Sequence, residues 1–149
     1  MEIKTATLED INTIIKLGNS VNEFQVSDEA VTFWPKEILT NCIKSKKNPI
    51  LVAEENKQII GFIIANYNSS FKKAIIENIF VNPDFRGKDV GKFLLNNLLN
   101  NLKELGCEYV CSLVKDNSNV AIEFYLKNNF NKGINCIWLD KILDNSFKK

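Results

Sequence analysis

The chain has 149 residues, a formal net charge of +1, 45% hydrophobic and 25% charged residues, and this length predicts one domain with a substantial core. The charge balance gives no support to a broad nucleic-acid or membrane footprint, so we expect neither kind of partner. No apolar run is long enough to span a bilayer, and the N-terminal MEIKTATLED has no apolar signal-peptide region. These features predict a cytoplasmic protein.

The chain contains no histidine and four cysteines, none of them in a Cys-x-x-Cys pair. This removes histidine-based triads, zincin motifs and most zinc sites, so we expect no metal cofactor. Cys107 and Cys111 fall on one predicted strand, and buried free thiols are the favoured interpretation there. A nucleophilic cysteine would have to work without a histidine base.

The first half of the chain predicts two helices and an antiparallel meander. Thr7 is a candidate N-cap for the first helix, which ends near Gly18. Pro35 suits the first turn of a second helix that runs to about Lys44. Pro83 ends the meander, because proline cannot donate to a strand ladder. The predicted strands cover residues 2–7, 49–54, 58–67 and 74–81.

Residues 21–40 mix aromatic with acidic side chains. The favoured interpretation is a connector whose aromatic residues fill the core and whose acids are solvated. The other is a substrate-facing lid whose acids attract a cationic substrate. The residues concerned are Phe24, Phe33, Trp34, Glu23, Asp28, Glu29 and Glu37.

The second half predicts a long amphipathic helix over residues 90–105, with Gly106 as its terminator. A right-handed crossover then makes strand 107–115 parallel to strand 74–81. A helix over 119–128 and a last strand over 133–142 complete the order β-α-α-β-β-β-α-β-α-β. This is an α/β (α+β) class with a mixed, mostly antiparallel sheet flanked by helices on both faces.

The turn RGKDVG, residues 86–91, joins a strand that ends at a proline to the start of the long helix. Helix N-termini direct free N–H groups and a positive dipole end at one point, where phosphates bind. Arg86, Lys88 and Lys92 add positive charge, and Gly87 and Gly91 allow close approach. The turn is neither a Walker A loop nor a Rossmann fingerprint. An ordinary turn with basic surface residues is the competing interpretation.

The stretch VNPDFRGKDVGKFLL resembles motif A of the GNAT superfamily of N-acetyltransferases, whose pattern is (Arg/Gln)-x-x-Gly-x-(Gly/Ala). The stretch AIEFYLKNNF is similar to the AI-x-(Leu/Phe)-Y-x-K-x-GF helix of the same family, and the element order agrees over nearly the whole chain. The resemblance implies a single N-acetyltransferase domain over residues 1–149 and a GNAT-like fold, with acetyl-CoA as co-substrate.

By this resemblance the turn binds the acetyl-CoA pyrophosphate and the preceding strand pairs with the pantetheine arm. A backbone N–H near Ile79 or Phe80 would polarise the thioester carbonyl. The family often has a cofactor-contacting asparagine at a position that falls on Ser118, so Asn117 or Asn119 could substitute or simply cap the helix. The implied cofactor residues are Ile79, Phe80, Val81, Arg86, Gly87, Lys88, Asp89, Val90, Gly91, Lys92, Asn117, Asn119 and Tyr125.

Two positions depart from the family pattern. The middle glycine of the turn is Asp89, whose carboxylate would repel a pyrophosphate. Aspartate is also a strong N-cap, so we expect Asp89 to cap the helix and leave the amides of Lys88, Val90, Gly91 and Lys92 for the cofactor. The glycine before the terminal phenylalanine is Asn129, which tolerates the left-handed conformation.

Two residues are candidates for the chemistry. The resemblance places at Tyr125 a tyrosine that protonates the CoA sulfur, and a core tyrosine with a satisfied hydroxyl is the competing interpretation. Glu77 is expected on the strand face that carries Ile75, Ile79 and Val81, where apolar neighbours should raise its pKa. Glu77 is therefore a candidate base or ammonium anchor, against an exposed residue or a structural ion pair.

The resulting prediction is an acetyl-CoA-dependent N-acetyltransferase that acts on a primary amine, either a small molecule or a peptide or protein amine, by direct attack on the thioester. The alternative is a non-catalytic acyl-CoA-binding regulatory module of the same fold. A nucleotide-binding protein is a more distant third. The acceptor's identity and a homodimeric assembly are left open.

Overall fold

The computed structural model describes residues 1–25, 27–30 and 33–149. Its strands form one sheet in the order β1-β2-β3-β4-β5, with antiparallel neighbours except for the parallel pair β4–β5. This confirms the predicted fold class and the predicted parallel pairing of these two strands. The elements are β1 (Glu2–Thr5), α1 (Ile11–Asn19), α2 (Lys36–Ser45), β2 (Ile50–Glu55), β3 (Gln58–Asn68), β4 (Lys73–Val81), α3 (Val90–Glu104), β5 (Tyr109–Ser112) and α4 (Asn119–Lys127).

Helices cover both faces of the sheet, as expected from the apolar patterns. On one face, α1 and α2 bury Ile14 and Leu39 against Phe62. On the other, α3 buries Leu94 and Leu98 against strand residues that include Ile63 and Ile76, and Tyr125 of α4 joins the same core. Alternate side chains of the central strands therefore enter two separate cores, which explains their nearly continuous apolar sequences.

The predicted helix ends are observed. Thr7 precedes a short 3-10 turn, Leu8–Asp10, and its backbone N–H donates to the Asp10 carboxylate at 2.8 Å. Gly106 has a φ of +84° just after α3, and Asn129 has a φ of +64° just after α4. Left-handed residues close both helices, because glycine and asparagine adopt this conformation at the lowest cost.

A β-bulge interrupts β4 at Glu77. Ile64 of β3 lies opposite Asn78 and Ala65 lies opposite Ile76, so Glu77 is the extra residue. The bulge reverses the alternation of side chains beyond it. The expectation that Glu77 shares a face with Ile75, Ile79 and Val81 is therefore wrong: Ile79 and Val81 pack against the α3 core, whereas Ile75 and Glu77 line a cleft with residues of the α1–α2 face.

The predicted last strand is not formed. Residues 131–143 have no strand in the part of the chain that the structure describes, and they expose Ile134, Ile137 and Leu139 by 87–90%. An alternating apolar pattern indicates strand propensity, but a strand also needs a partner for its backbone ladder. The chain end is held instead by a bridge between Ala30 and Lys148. Within the described residues, no helix combines the length and apolarity needed to cross a membrane.

Candidate active site

The sheet opens between β4 and β5. Parallel pairing covers only the register from Lys73–Tyr109 to Ile76–Ser112, although β4 continues to Val81. Strand β5 ends at Ser112, earlier than the predicted residue 115. The β4 backbone beyond Ile76 therefore faces a gap on its β5 side, where an extended ligand can pair with it as an added strand would.

The register decides which β4 residues face this gap. The Asn82 N–H donates to the Ile60 carbonyl at 2.8 Å, so residue 82 bonds to β3. Alternation along an antiparallel ladder then turns Phe80 towards β3 and turns Ile79 and Val81 the other way. The Val81 carbonyl agrees with this, since it accepts a hydrogen bond from Arg86 Nε at 3.1 Å. Of the two predicted thioester-polarising amides, Ile79 is the one that the geometry favours.

The basic turn lies at the end of the same strand. Arg86, Lys88 and Lys92 are exposed there, and Lys88 Nζ lies 5.1 Å from the centre of the Phe85 ring. Gly87 has a φ of +75°, a conformation that glycine adopts readily. The Phe93 N–H begins the helical ladder by bonding to the Asp89 carbonyl at 2.9 Å. The preceding amides of the first turn, at Val90, Gly91 and Lys92, are available to an anion.

Asp89 occupies the predicted N-cap position with a φ of +58°. Among the described residues its side chain makes no capping hydrogen bond, so the expected carboxylate cap is wrong. The left-handed backbone explains why glycine suits this position, and aspartate is among the few other residues that tolerate it. The exposed carboxylate is thus a negative charge beside the helix start.

Gly91 allows three elements to meet closely. A Cβ at this position would lie 3.2 Å from a Phe124 ring carbon on α4 and 3.6 Å from a Val81 methyl on β4. The last glycine of the motif therefore brings the helix start against both the open strand and the helix that carries Tyr125. This packing couples the turn to the rest of the site.

Tyr125 lies under the point where β4 and β5 separate. Its side chain is buried and packs edge-on against Phe124 and Phe130, with ring centres 5.4 and 5.1 Å away. Burial raises the pKa of the Tyr125 phenol, and a hydrogen bond with Ser112 acts in the opposite direction. Ser112 itself donates to the Ile76 carbonyl at 3.0 Å. A phenol kept protonated here can donate a proton to a leaving group.

Glu77 lies at the mouth of a cleft of about 310 Å³ on the α1–α2 side of the sheet. The side chain is exposed, but partial burial still raises the pKa of the Glu77 carboxyl, while a hydrogen bond from Asn66 lowers it. The neighbouring Asn78 accepts a hydrogen bond from Trp34 Nε1 at 2.8 Å. The bulge thus places a carboxyl group with a raised pKa at the cleft.

The aromatic segment before α2 contributes to the core and to the cleft. Phe33 is buried and stacks on Phe24 at 6.0 Å, which supports the connector interpretation. Phe24 and Trp34 also line the cleft. Of the predicted segment, Val26, Val31 and Thr32 lie outside the described residues. The segment's acids are exposed and do not belong to the described cleft lining: Glu23, Asp28, Glu29 and Glu37.

Some predicted site residues stay at the periphery, and others were missed. Asn117 and Asn119 are exposed at the start of α4, next to Ser118. Ser112 and Asn66, whose hydrogen bonds act on the pKa of Tyr125 and of Glu77, were not predicted, because no local pattern marks a partner on a neighbouring strand. Trp138 and Phe147 line the cleft and were not predicted as site residues either, since they lie in a region predicted to be strand and tail.

Comparisons with known proteins agree with this architecture. A model of the acetyltransferase (GNAT) family matches residues 14–130. The chain therefore belongs to the GNAT family, and it is an N-acetyltransferase. The resemblance in the two motifs is confirmed at the level of the family.

Individual relatives support the same assignment. Over 143 residues the chain is 25% identical to an acetyltransferase of Pectobacterium atrosepticum, covering 96% of each protein. It is 26% identical over 147 residues to the spermidine N(1)-acetyltransferase of Thermoplasma acidophilum, covering 87% of this chain and 88% of that one. The solved structure of the PaiA N-acetyltransferase of Thermoplasma acidophilum with coenzyme A has a TM-score of 0.73 at 24% identity, covering 87% and 89%. At that identity the structural match shows the shared fold.

Proposed function

We propose that this protein transfers the acetyl group of acetyl-CoA to a primary amine by direct attack of the amine on the thioester. The observation that carries the proposal is the opened sheet. The unpaired β4 edge lies between the basic turn at α3 and Tyr125 of α4. Glu77 faces the cleft on the α1–α2 side of the sheet. A thioester held along β4 would be accessible from that cleft. The relative solved with coenzyme A supports the same donor.

The donor would be held by two groups of residues. The pyrophosphate would bind the first-turn amides of α3, with Arg86 and Lys88 supplying charge. The pantetheine arm would pair with the outward backbone groups of Ile79 and with the Val81 N–H, since the Val81 carbonyl is bonded to Arg86 Nε. The Ile79 N–H would then stabilise negative charge that develops on the thioester oxygen. Asn117 and Asn119 would contact the cofactor only at its edge.

The acceptor side must deliver a neutral amine. An alkylammonium has a pKa of about 10, so one proton must leave before the nitrogen attacks. Glu77, or a water held by it, would take that proton. Attack forms the C–N bond and a tetrahedral oxyanion, while Glu77 passes the first proton to solvent and its carboxylate then takes the second amine proton. When the oxyanion collapses the C–S bond breaks, Tyr125 protonates the departing thiolate, and the Tyr125 phenolate regains a proton from solvent. The products are an amide and free CoA.

Ligand binding tests the donor half. Thermal unfolding is measured with acetyl-CoA, CoA or ATP, because a ligand at a hundred times its dissociation constant adds about 2.7 kcal/mol to stability. Stabilisation by both CoA compounds supports the proposal. Stabilisation by ATP alone would contradict it and favour a nucleotide-binding protein.

Turnover tests the catalytic half. CoA release is followed with an amine panel for the wild type and for Glu77→Gln, which keeps the size of the side chain and removes the base. A lower rate and a changed acidic limb of the pH profile are expected. An unchanged rate with an unchanged pH profile would remove Glu77 from the mechanism. Tight CoA binding without turnover of any amine would favour a non-catalytic acyl-CoA-binding module, an alternative to which the Asp89 carboxylate lends some support.

A further inference from the structure

The cleft beside Glu77 has a mostly apolar lining. Aromatic rings and aliphatic side chains make up most of its lining, including Phe24, Phe33, Trp34 and Leu113. Its volume of about 310 Å³ lies at the lower end of the range for small-molecule sites. A ligand of this cleft must therefore be small, and most of its surface must be hydrocarbon.

The cleft lining carries one negatively charged side chain. Glu77 is the ionisable side chain among the described lining residues, and the Asn78 side-chain oxygen is already engaged by the Trp34 indole. One ammonium can pair with Glu77. A second ammonium or a set of sugar hydroxyls would lose water against rings and aliphatic carbons without regaining its hydrogen bonds.

Two lining residues come from the C-terminal region, which is hydrogen-bonded to the segment before α2. Trp138 and Phe147 line the cleft, and Phe147 belongs to a short 3-10 turn in which Asp144 accepts a hydrogen bond from the Ser146 N–H at 2.7 Å. Beyond it, the Lys149 N–H donates to the Glu29 carbonyl at 2.9 Å. These bonds hold the end of the chain, which carries Phe147, next to the segment before α2.

Three apolar residues of the cleft lining remain exposed to solvent. Phe147 is 46% exposed, Trp138 is 55% exposed and Leu113 is 62% exposed. Exposed apolar residues that cluster around a cleft are typical of a ligand or partner site. An apolar ligand body that enters beside Glu77 would remove this surface from water.

We infer that the acceptor is a primary amine with one positive charge and an apolar body, such as an arylalkylamine, and that Trp138 and Phe147 select it by packing against that body. The inference rests on the proposed function, since it names the amine for the same reaction. Glu77 holds the ammonium end, and the two rings decide which body is accepted.

The first experiment compares amines on the wild-type protein. Acetyl-CoA-dependent CoA release is measured with 2-phenylethylamine, ethanolamine, spermidine and an aminoglycoside. We expect kcat/KM for 2-phenylethylamine to exceed that for each of the other amines by at least about tenfold, as expected for apolar area buried in a preformed site. A preference of tenfold or more for spermidine or the aminoglycoside would overturn the inference, as would equal use of all four.

The second experiment tests the two rings. Phe147→Ala and Trp138→Ala should each lower kcat/KM for 2-phenylethylamine about tenfold, mainly through the amine KM. The acetyl-CoA KM and kcat/KM for ethanolamine should stay within about twofold of the wild type, since neither depends on this apolar contact. Phe147→Leu, which retains an apolar side chain, should recover part of the loss. Leu139→Ala is the matched control, because Leu139 lies in the same segment, is 88% exposed and is outside the cleft lining.

The outcomes separate this inference from the proposed function. Equal losses for all amines in the ring variants, at unchanged thermal stability, would overturn the selection by Trp138 and Phe147. Turnover of amines with another preference would overturn the inference and leave the acetyl transfer intact. Failure of acetyl-CoA both to stabilise the protein and to acetylate any amine would overturn both.

Discussion

The proposed donor side and the proposed acceptor side of the sheet are built in different ways. The donor side takes β4, the basic turn, α3 and Tyr125 from one continuous stretch of the chain. The acceptor cleft takes residues from the segment before α2, from the β4 bulge, from the loop after β5 and from the C-terminal region. The donor side is therefore recognisable from local motifs, whereas the cleft exists only after distant segments meet.

This difference also indicates which parts of the site related acetyltransferases must share and which parts can differ between them. A common donor constrains the turn and the open strand, because pyrophosphate and pantetheine present the same groups in each reaction. Of the four segments that form the acceptor cleft, the segment before α2 and the C-terminal region lie outside the continuous donor stretch and can change without disturbing it. Membership in the family consequently identifies acetyl transfer to an amine and says little about which amine. The four changes below test the two sides separately.

The largest effect is expected for Tyr125→Phe on the donor side. The phenyl ring keeps the contacts with Phe124 and Phe130 and removes only the hydroxyl that we propose as the proton donor. We expect kcat to fall about a hundredfold, a typical value for the loss of a general acid, with little change in the acetyl-CoA KM or in thermal stability. Steady-state kinetics and a thermal melt measure these. An unchanged kcat would leave Tyr125 as a core residue.

A smaller effect is expected for Arg86→Ala. The guanidinium is exposed at the turn and donates a hydrogen bond to the Val81 carbonyl. Its loss removes one positive charge and one hydrogen bond that holds the turn in place. We expect the acetyl-CoA KM to rise about tenfold, as for the loss of a charge-assisted contact, with the amine KM unchanged. Salt should reduce the difference between the variant and the wild type. Lys103→Ala, on the exposed part of α3 near its far end, is the matched control. A rise in the amine KM instead would place Arg86 on the acceptor side.

Asp89→Asn should have a modest effect of the opposite sign. Asparagine tolerates the left-handed backbone of this position, so the variant removes the negative charge and keeps the turn. We expect CoA binding to tighten about twofold at low salt, and less at high salt, as for a partly screened surface charge. Titration calorimetry at two ionic strengths measures this. Weaker binding by the variant would mean that the carboxylate supports the ligand.

The smallest change in rate is expected for Asn66→Ala on the acceptor side. The hydrogen bond from Asn66 lowers the pKa of Glu77, which partial burial raises. Without that bond the pKa of Glu77 should rise further, so the carboxylate ionises only at higher pH. The acidic limb of kcat/KM should therefore move to higher pH, while the plateau at alkaline pH stays unchanged. A limb that does not move would show that another group sets it.

The cysteines show the limits of local patterns on a smaller scale. Cys107 and Cys111 were expected on one strand, but Cys107 lies before β5 and only Cys111 is on it. All four cysteines are free, and only Cys42 is buried. The expected burial of the Cys107 and Cys111 thiols is therefore wrong, since both are partly exposed.

The sequence by itself determined the helices, the first five strands, the family and the position of the basic turn. Each of these depends on contacts within a short stretch: apolar periodicity, capping and turn residues, and the spacing of Arg86, Gly91 and Tyr125. The departure at Asn129 was interpretable as well, because left-handed positions restrict the residue type. At Asp89 the N-cap position was predicted, but the expected carboxylate cap was wrong.

Only the tertiary structure decided the acceptor side. The bulge that directs Glu77 into the cleft arises from the register between β3 and β4, which a single strand's alternation does not contain. The choice of Ile79 over Phe80 follows from that register as well. The missing last strand and the place of Trp138 and Phe147 depend on which partners the chain end finds, and those partners lie more than a hundred residues away, at residues 29 and 30. Pairing and packing across such distances are properties of the folded chain as a whole.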